Sequence, residues 1–337
     1  MRTVNRFAAR TWPAAAWNAV LLWSAVFSAG HATERDAYVV KNAFREVVVA
    51  PAQSTVRVLC DGRRAALGTI VASDGLVLTK ASELTGRLVC HLFDGRQLEA
   101  QLVGVNDECD LALLKIAADA LPAIRWSDAE PPPVGSWLAT AGLESVPLCI
   151  GVVSVAPRQI ERRQPALGVI IEEGDQGPVI REVMPRSGAA KAGLKPNDVI
   201  TQLDGKPVES RYGLIQTIRG RRSGDTVRLQ VLRGGQGVTA DVELRDLTEI
   251  ANGEMFQEEV GGRLSKRRTG FPLALQHDTV LLPNQCGGPL VDLDGKVVGI
   301  NIARASRVAS YALPASAIKP VLEKLKAGQL VAAKPAN

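Results

Sequence analysis

The chain is poor in aromatic residues and in histidine. Aromatics make up 4% of its 337 residues, and the three histidines are His31, His91 and His277. So few imidazoles confine acid–base or metal chemistry to a handful of positions. Among the five cysteines, Cys60, Cys90, Cys109, Cys149 and Cys286, there is no CxxC pair and no Cys/His cluster. That spacing excludes a structural zinc site, and neither a metal nor a cofactor is expected. The basic clusters "RQIERRQ" and "RLSKRRTG" lack interleaved aromatics, and a net charge of +5 is spread along the chain. They read as solvated loops, not as a nucleic-acid surface. Past the N-terminus, no apolar run is long enough to cross a membrane.

Turns and short strands are what the chain has in quantity. It carries 31 Gly and 19 Pro with 46% apolar residues. With many Val, Ile and Thr runs, this is the composition of a strand-and-turn globular protein of two ordinary domains or three small ones. Residues 1–32 read as a cleaved export signal: a basic start, the apolar run "TWPAAAWNAVLLWSAVF", and small residues Gly30 and Ala32 before the cut. The mature protein is then exported, periplasmic or secreted, with no membrane attachment. That compartment permits disulfides. The odd cysteine count leaves at least one thiol unpaired, and with Cys286 free the other four allow three connectivities.

From Ser54 to Ile116 the runs "TVRVLC", "ALGTIVAS", "GLVLTKAS", "RLVCHLF", "QLEAQLVGV" and "LALLKIA" predict six strands, with "SDG" and "FDG" as hairpin turns. "EPPPVG" is a connector, followed by strands at "SWLATAG" and "LCIGVVSVA". From about Arg158 strands alternate with helices at "SGAAKAG" and "SRYGLIQTIRG", an α+β module. The polar stretch "TEIANGEMFQEEVGGRLSKRRTG" predicts a long loop. Strands resume at "TVLL", "GPLVDLDGKVVGINIA" and "YALP", and "SAIKPVLEKLKAG" has helical spacing with a terminal Gly.

These pieces resemble the HtrA (Deg) family of exported trypsin-like proteases. "GTIVASDGLVLT", "DGRQLEAQLVGVNDECDLALLKI", "VGSWLATAG", "IGVVSV", "PNQCGGPLVDLDGKVVGIN" and "YALP" follow the family's motifs in order. "PALGVII", "VMPRSGAAKAGLKPNDVITQLDGKPV" and "SGDTVRLQVLRGG" resemble its PDZ domain. The resemblance implies a mainly β fold: two trypsin-like antiparallel β-barrels with an α+β PDZ domain inserted into the second. The expected parts are the first barrel and start of the second over 37–157, the PDZ over 158–248, a loop over 249–269, and the rest of the second barrel with a C-terminal helix over 270–330. Peptides, unfolded proteins and C-terminal tails are the implied partners, and a homotrimer the implied assembly.

The resemblance places the catalytic carboxylate at Asp110 and the nucleophile at Cys286, but the base position holds Ser82 in "LTKASEL". A serine cannot take the nucleophile's proton or deliver one to a leaving amine. The neighbours Lys80 and Glu83 read as a solvated loop. His277 lies on the specificity-pocket side of the family's fold and His91 in a strand, so neither is a natural replacement. Asn284 stands at the oxyanion glycine, and since Asn tolerates positive φ the loop is expected to keep its shape, with Asp110 beside Cys286 raising the thiol's pKa. Three readings follow: an inactive homologue acting in peptide binding and protein quality control, an endopeptidase using Cys286 with an unidentified base, or a redox-responsive binding protein. For the PDZ, the resemblance implies a carboxylate-holding loop at Ala166, Leu167, Gly168 and Val169. It implies strand pairing of the ligand from Val169 through Ile170 to Glu172, with Arg211 and Ile215 facing the peptide.

Overall fold

The computed structural model describes residues 38–252 and 262–329. Two short helices open it, α1 (Tyr38–Ala43) and α2 (Arg45–Gln53). Six strands follow: β1 (Thr55–Cys60), β2 (Arg63–Ala72), β3 (Leu76–Lys80), β4 (Leu88–His91), β5 (Gln97–Asn106) and β6 (Leu111–Ile116). They close into an antiparallel barrel in the order β1-β2-β3-β6-β5-β4. Val56, Val58, Ile70, Val77, Leu114 and Ile116 fill its interior.

The chain then begins a second barrel with β7 (Trp137–Thr140) and β8 (Cys149–Ile160), and leaves it. It builds a separate α+β unit before returning. That unit comprises β9 (Pro165–Ala166), β10 (Val169–Glu172), β11 (Val179–Val183), helix α3 (Gly188–Lys191), β12 (Val199–Leu203), β13 (Lys206–Pro207), helix α4 (Arg211–Arg219), β14 (Thr226–Arg233), β15 (Gln236–Glu243) and β16 (Arg245–Asp246). Its main sheet runs β10-β11-β12-β14-β15, and β10 is an edge. In β14 the alternation is clean, with Val227, Leu229 and Val231 inward against Leu214 and Ile218 of α4, which recur at helical spacing. Both helices are capped by serine: Ser187 Oγ accepts from Ala190 N at 3.1 Å, and Ser210 Oγ from Gly213 N at 3.1 Å.

After helix α5 (Leu247–Asn252) the second barrel is completed by β17 (Phe271–His277), β18 (Pro289–Val291), β19 (Val297–Arg304) and β20 (Ser310–Pro314), closed as β17-β20-β19-β18-β7-β8. Helix α6 (Ala315–Lys326) ends the described chain, burying Ile318, Leu322 and Leu325. The departure and return points are neighbours: Ile160 of β8 pairs with Phe271 of β17, and Gly270 N donates to Glu161 O at 3.3 Å. This is the geometry that lets a whole unit sit inside a barrel hairpin without disturbing it.

Two expectations are corrected. "TVLL" is not a strand; residues 279–282 are irregular, and the preceding run "FPLALQH" forms β17 instead. The polar stretch is not loop throughout, because α5 occupies its start. α1 and α2 were not foreseen. No disulfide forms among the described residues, and all five cysteines are buried. The export signal lies outside the described residues, and among those described no helix is long and apolar enough to cross a membrane.

Candidate functional site

The three positions that the resemblance singled out do not come together as one unit. Asp110 and Ser82 touch. Asp110 starts the turn into β6 with φ of 59°, a left-handed conformation that Asp adopts more readily than most residues. Its Oδ1 accepts from Ser82 N at 2.8 Å, and its Oδ2 accepts from Ser82 Oγ at 2.9 Å. The same Oδ2 accepts from Lys80 Nζ at 2.7 Å.

Lys80 is the residue that sequence reasoning missed. It is wholly buried, not part of a solvated loop. Its ammonium also donates to Ile302 O at 2.9 Å and to Arg267 O at 3.3 Å. Three donors meet three acceptors, one of them a carboxylate, so the charged form is fully satisfied. The signal was there in the strand's period of two. Leu78 faces the second barrel within the inter-barrel core, and Lys80, two residues on, follows it to the same side.

Cys286 is also fully buried, and burial pushes its thiol up to about 11 while the Lys80 charge pulls it partly back. The expected neighbour Asp110 is therefore not what sets this thiol. Its sulfur lies 4.0 Å from Ser265 Oγ and 3.8 Å from Leu282 O, and makes no hydrogen bond to Ser82 or Asp110. At neutral pH it is a thiol, not a thiolate.

The oxyanion loop is a second correction. Pro283–Gln285 form a 3-10 turn, and Asn284 is not among the residues with positive φ. Cys286 N donates to Pro283 O at 3.2 Å, which closes the turn and removes that amide from any incoming oxyanion. The loop behind it is rigidly held. Gly287 has φ of 95°, and a Cβ there would lie 2.0 Å from Leu67 O, so only glycine fits. Leu67 N in turn donates to Cys286 O at 2.8 Å.

His277 is wholly buried, with Nδ1 against Thr279 Oγ1. Burial lowers its pKa to about 4, with Asp278 working the other way. It is a neutral core imidazole. His91 lies half-buried on β4. Open space is found on the Ser82 and Asp110 side. A cavity of about 840 Å³ lies between the first barrel (Leu84, Leu102, Ile116) and the α+β unit (Arg222, Asp225), and Cys286 does not line it.

In the α+β unit, Leu167 and Gly168 are buried at the turn before β10, and Gly168 has φ of 80°. Val169 is half-buried, and Ile170 is 49% exposed on the free edge of β10. Arg211 opens α4, with its backbone N donating to both oxygens of Glu173 at 3.1 and 3.2 Å, so the helix start is tied to the end of β10. Ile215 is half-buried on the same helix, one turn on. An unpaired strand edge beside an amphipathic helix is the arrangement that accepts a peptide as an added strand.

Residues 66–180 match the trypsin-like peptidase domain family, and residues 165–244 match the PDZ domain family. The first match stops inside the α+β unit and does not reach the strands beyond it. Over 271 residues the chain is 26% identical to the "Probable periplasmic serine endoprotease DegP-like" of Halomonas elongata, covering 55% of this chain and 57% of that protein. It is 33% identical over 97 residues to the periplasmic serine endoprotease DegP of Salmonella typhimurium, 28% of this chain and 20% of the relative. The chain thus spans a little over half the length of the DegP-like protein it matches. Among solved structures, the serine endoprotease from Yersinia pestis aligns with 60% of this chain and 98% of its own, at 20% identity and a TM-score of 0.31.

Proposed function

We propose, from the premise that the chain belongs to the HtrA/Deg family of trypsin-like proteins with a PDZ domain, that it binds peptides and unfolded protein segments in the exported compartment without hydrolysing them. The observation that carries this reading is the Lys80 ammonium, which is bonded to Asp110, Ile302 and Arg267 at the place where a base would have to work. Hydrolysis needs a group that takes a proton from the nucleophile and returns it to the leaving amine. Ser82 cannot do so. Lys80 could act as a base only by giving up one of the three protons it now donates and leaving the buried Asp110 carboxylate without its counter-charge. Cys286, pushed up to about 11, supplies almost no thiolate. The Cys286 amide is spent on Pro283 O, which argues against oxyanion binding as well. The cysteine-peptidase alternative needs a base, and the described residues around Cys286 offer none that is free.

The PDZ module is the binding element in this reading. Its loop at Leu167 and Gly168 offers backbone N–H groups to a terminal carboxylate, and β10 offers main-chain pairing. Leu167, Val169 and Ile215 favour an apolar last side chain. The full-length mature protein should bind a peptide with a free C-terminal Val or Leu with a Kd on the order of micromolar, because few side chains are buried. Calorimetric titration followed by mass analysis after a day tests both halves. Binding with the peptide recovered intact supports the reading. No binding, or recovery of fragments, counts against it.

A further inference from the structure

The cavity of about 840 Å³ has an apolar floor and a basic far end. The floor is carried by the first barrel and continues its core, with Leu88 and Ile116 buried and Leu84, Ala100 and Leu102 half-buried. The far wall is the turn over residues 222–225 that follows α4. There the cavity meets a second, polar pocket of about 160 Å³, and the two share Asp107, Arg222, Ser223 and Arg267 as walls. Arg162, Arg163 and Glu108 also line the polar pocket. Arg163 is already matched, 3.6 Å from Asp246 and 3.8 Å from Glu249. The other guanidiniums are not. Arg162 donates to a carbonyl, Arg221 O, at 2.8 Å. Arg267 is buried and donates to the carbonyls of Asp107, Glu108 and Gly270, so two of its five N–H groups are unspent among the described residues. Arg222 has the Asp107 carboxylate, at 3.3 Å. Burial lowers the Arg267 pKa, Asp110 opposes this, and the charge of Arg222 adds to it, so two cations stand close together. Ser223 Oγ, on the shared wall, is buried and has no hydrogen-bond partner among the described residues. Against Arg162, Arg222 and Arg267 the pocket sets the carboxylates of Asp107 and Glu108, which leaves one positive charge over. The larger cavity adds no net charge: Arg87 pairs with Glu99, Lys115 with Asp74 and Lys80 with Asp110, and Lys266 is offset by Asp225.

From this arrangement we infer that the two joined cavities bind a small amphipathic anion, a medium- to long-chain carboxylic acid, with its chain on the apolar floor of the first barrel and its carboxylate among Arg162, Arg222, Ser223 and Arg267. A single carboxylate matches the one surplus charge, takes the unspent guanidinium donors, and accepts from the Ser223 hydroxyl. The chain covers apolar surface that Leu84, Ala100 and Leu102 now leave half open. The larger volume lies within the range of roughly 300–1,000 Å³ that small-molecule sites occupy. No aromatic side chain lines either cavity, so a nucleobase would have nothing to stack on. Neither Cys286 nor any strand of the second barrel lines them, and neither do Leu167 and Gly168. The inference is therefore independent of whether the PDZ binds termini. Because the chain rests on the first barrel and the head on residues 222–223 of the PDZ unit, occupancy ties the two together.

Two experiments on the full chain test this, with sodium decanoate as the probe. In the first, calorimetric titration compares decanoate with octanoate, dodecanoate, decanol and decyltrimethylammonium. One decanoate per chain should bind, with a Kd on the order of ten micromolar. Each step of two methylenes should tighten binding by about tenfold. The alcohol and the cation should bind about tenfold more weakly or worse, and Arg222→Glu should weaken decanoate by about tenfold in a chain that still unfolds cooperatively. No binding of decanoate, equal affinity for the anion and the cation, or a folded Arg222→Glu chain that binds decanoate as the parent does, overturns the inference. The second experiment needs no variant. A decanoic acid analogue with a diazirine at its chain end is photolysed on the parent protein, and the adducts are mapped by mass spectrometry. Adducts at Leu84, Leu88 or Leu102 that excess decanoate suppresses are expected. Adducts at residues 167–170 would place the carboxylate in the PDZ loop, and adducts scattered over the surface would mark detergent-like association; either result overturns the inference.

Discussion

Lys80 decides the chemistry of the site, and its burial makes a sharp prediction. Removing one partner of a buried ion pair leaves the other charge uncompensated, at a cost of about 3–5 kcal/mol. Lys80→Met should therefore lose stability of that order in urea unfolding, and adding Asp110→Asn should recover most of it, because the charge left behind is then gone. A single-variant loss below about 1 kcal/mol would show that the pair is not buried as described. His277 makes a second prediction, in pH. Its folded pKa, about 4, lies below its unfolded value near 6.5. Below 6.5 the unfolded chain binds the proton and the folded chain does not, so stability is full above that pH and falls as pH drops towards 4. Over that window the loss from this group is on the order of 3 kcal/mol. His277→Gln should flatten the decline in urea midpoint between pH 7 and 4.5; an unchanged slope would assign the acid lability to carboxylates instead.

At the scale of elements, the PDZ groove is where a small change should have a large effect. Gly168 has positive φ, and a Cβ there would lie 2.1 Å from Ser187 Cβ. Gly168→Ala should reduce affinity for a free C-terminal peptide by tenfold or more, since the carboxylate loop must shift. Arg211, a cation at the start of α4, should favour an acidic side chain two residues before the ligand's end, and Arg211→Glu should leave the fold intact and reverse that preference, read from paired peptide titrations. Preference unchanged in Arg211→Glu would remove that residue from the recognition surface. Much of this level was legible in the sequence. The strands of the first barrel announce themselves by β-branched runs between Gly turns. The failures have physical causes. α2 holds Pro51 inside it, so it does not read as a helix. β17 holds Pro272 and lacks clean alternation, while "TVLL" has strand propensity but no partner. In the site, motif order supplies Ser82, Asp110 and Cys286 only as positions of a resemblance, and of these Ser82 and Asp110 touch. The burial of Lys80 and the path of Ser265 and Arg267 depend on how two barrels and a linker meet, and no local pattern fixes that contact.

At the scale of the whole molecule, the second barrel is built from strands separated by more than a hundred residues, and its integrity rests on the junction at Ile160 and Phe271. Replacing residues 166–245 by a short Gly/Asn turn, with the buried Ser265 and Arg267 kept, should leave a cooperatively unfolding two-barrel protein, because Pro165 and Asp246 already pair and a short loop between them is inexpensive to close. A molten or non-cooperative product, seen by near-UV circular dichroism on heating, would show that the PDZ unit is part of the barrel's core and not a guest within it. The contacts between the two are mostly of the exposed kind, such as Arg222 to Asp107 at 3.3 Å, which contribute little alone.

The proposed reading is that a chain with the trypsin-like fold, whose buried Lys80 ammonium is bonded to Asp110, binds peptides without cutting them. The most direct test is incubation of the purified protein with a reduced, unfolded protein substrate at neutral pH, with new termini counted by mass spectrometry against a Cys286→Ala control. The account predicts no termini above the control. Termini that appear with the parent protein, persist under metal chelation and vanish in Cys286→Ala would contradict it.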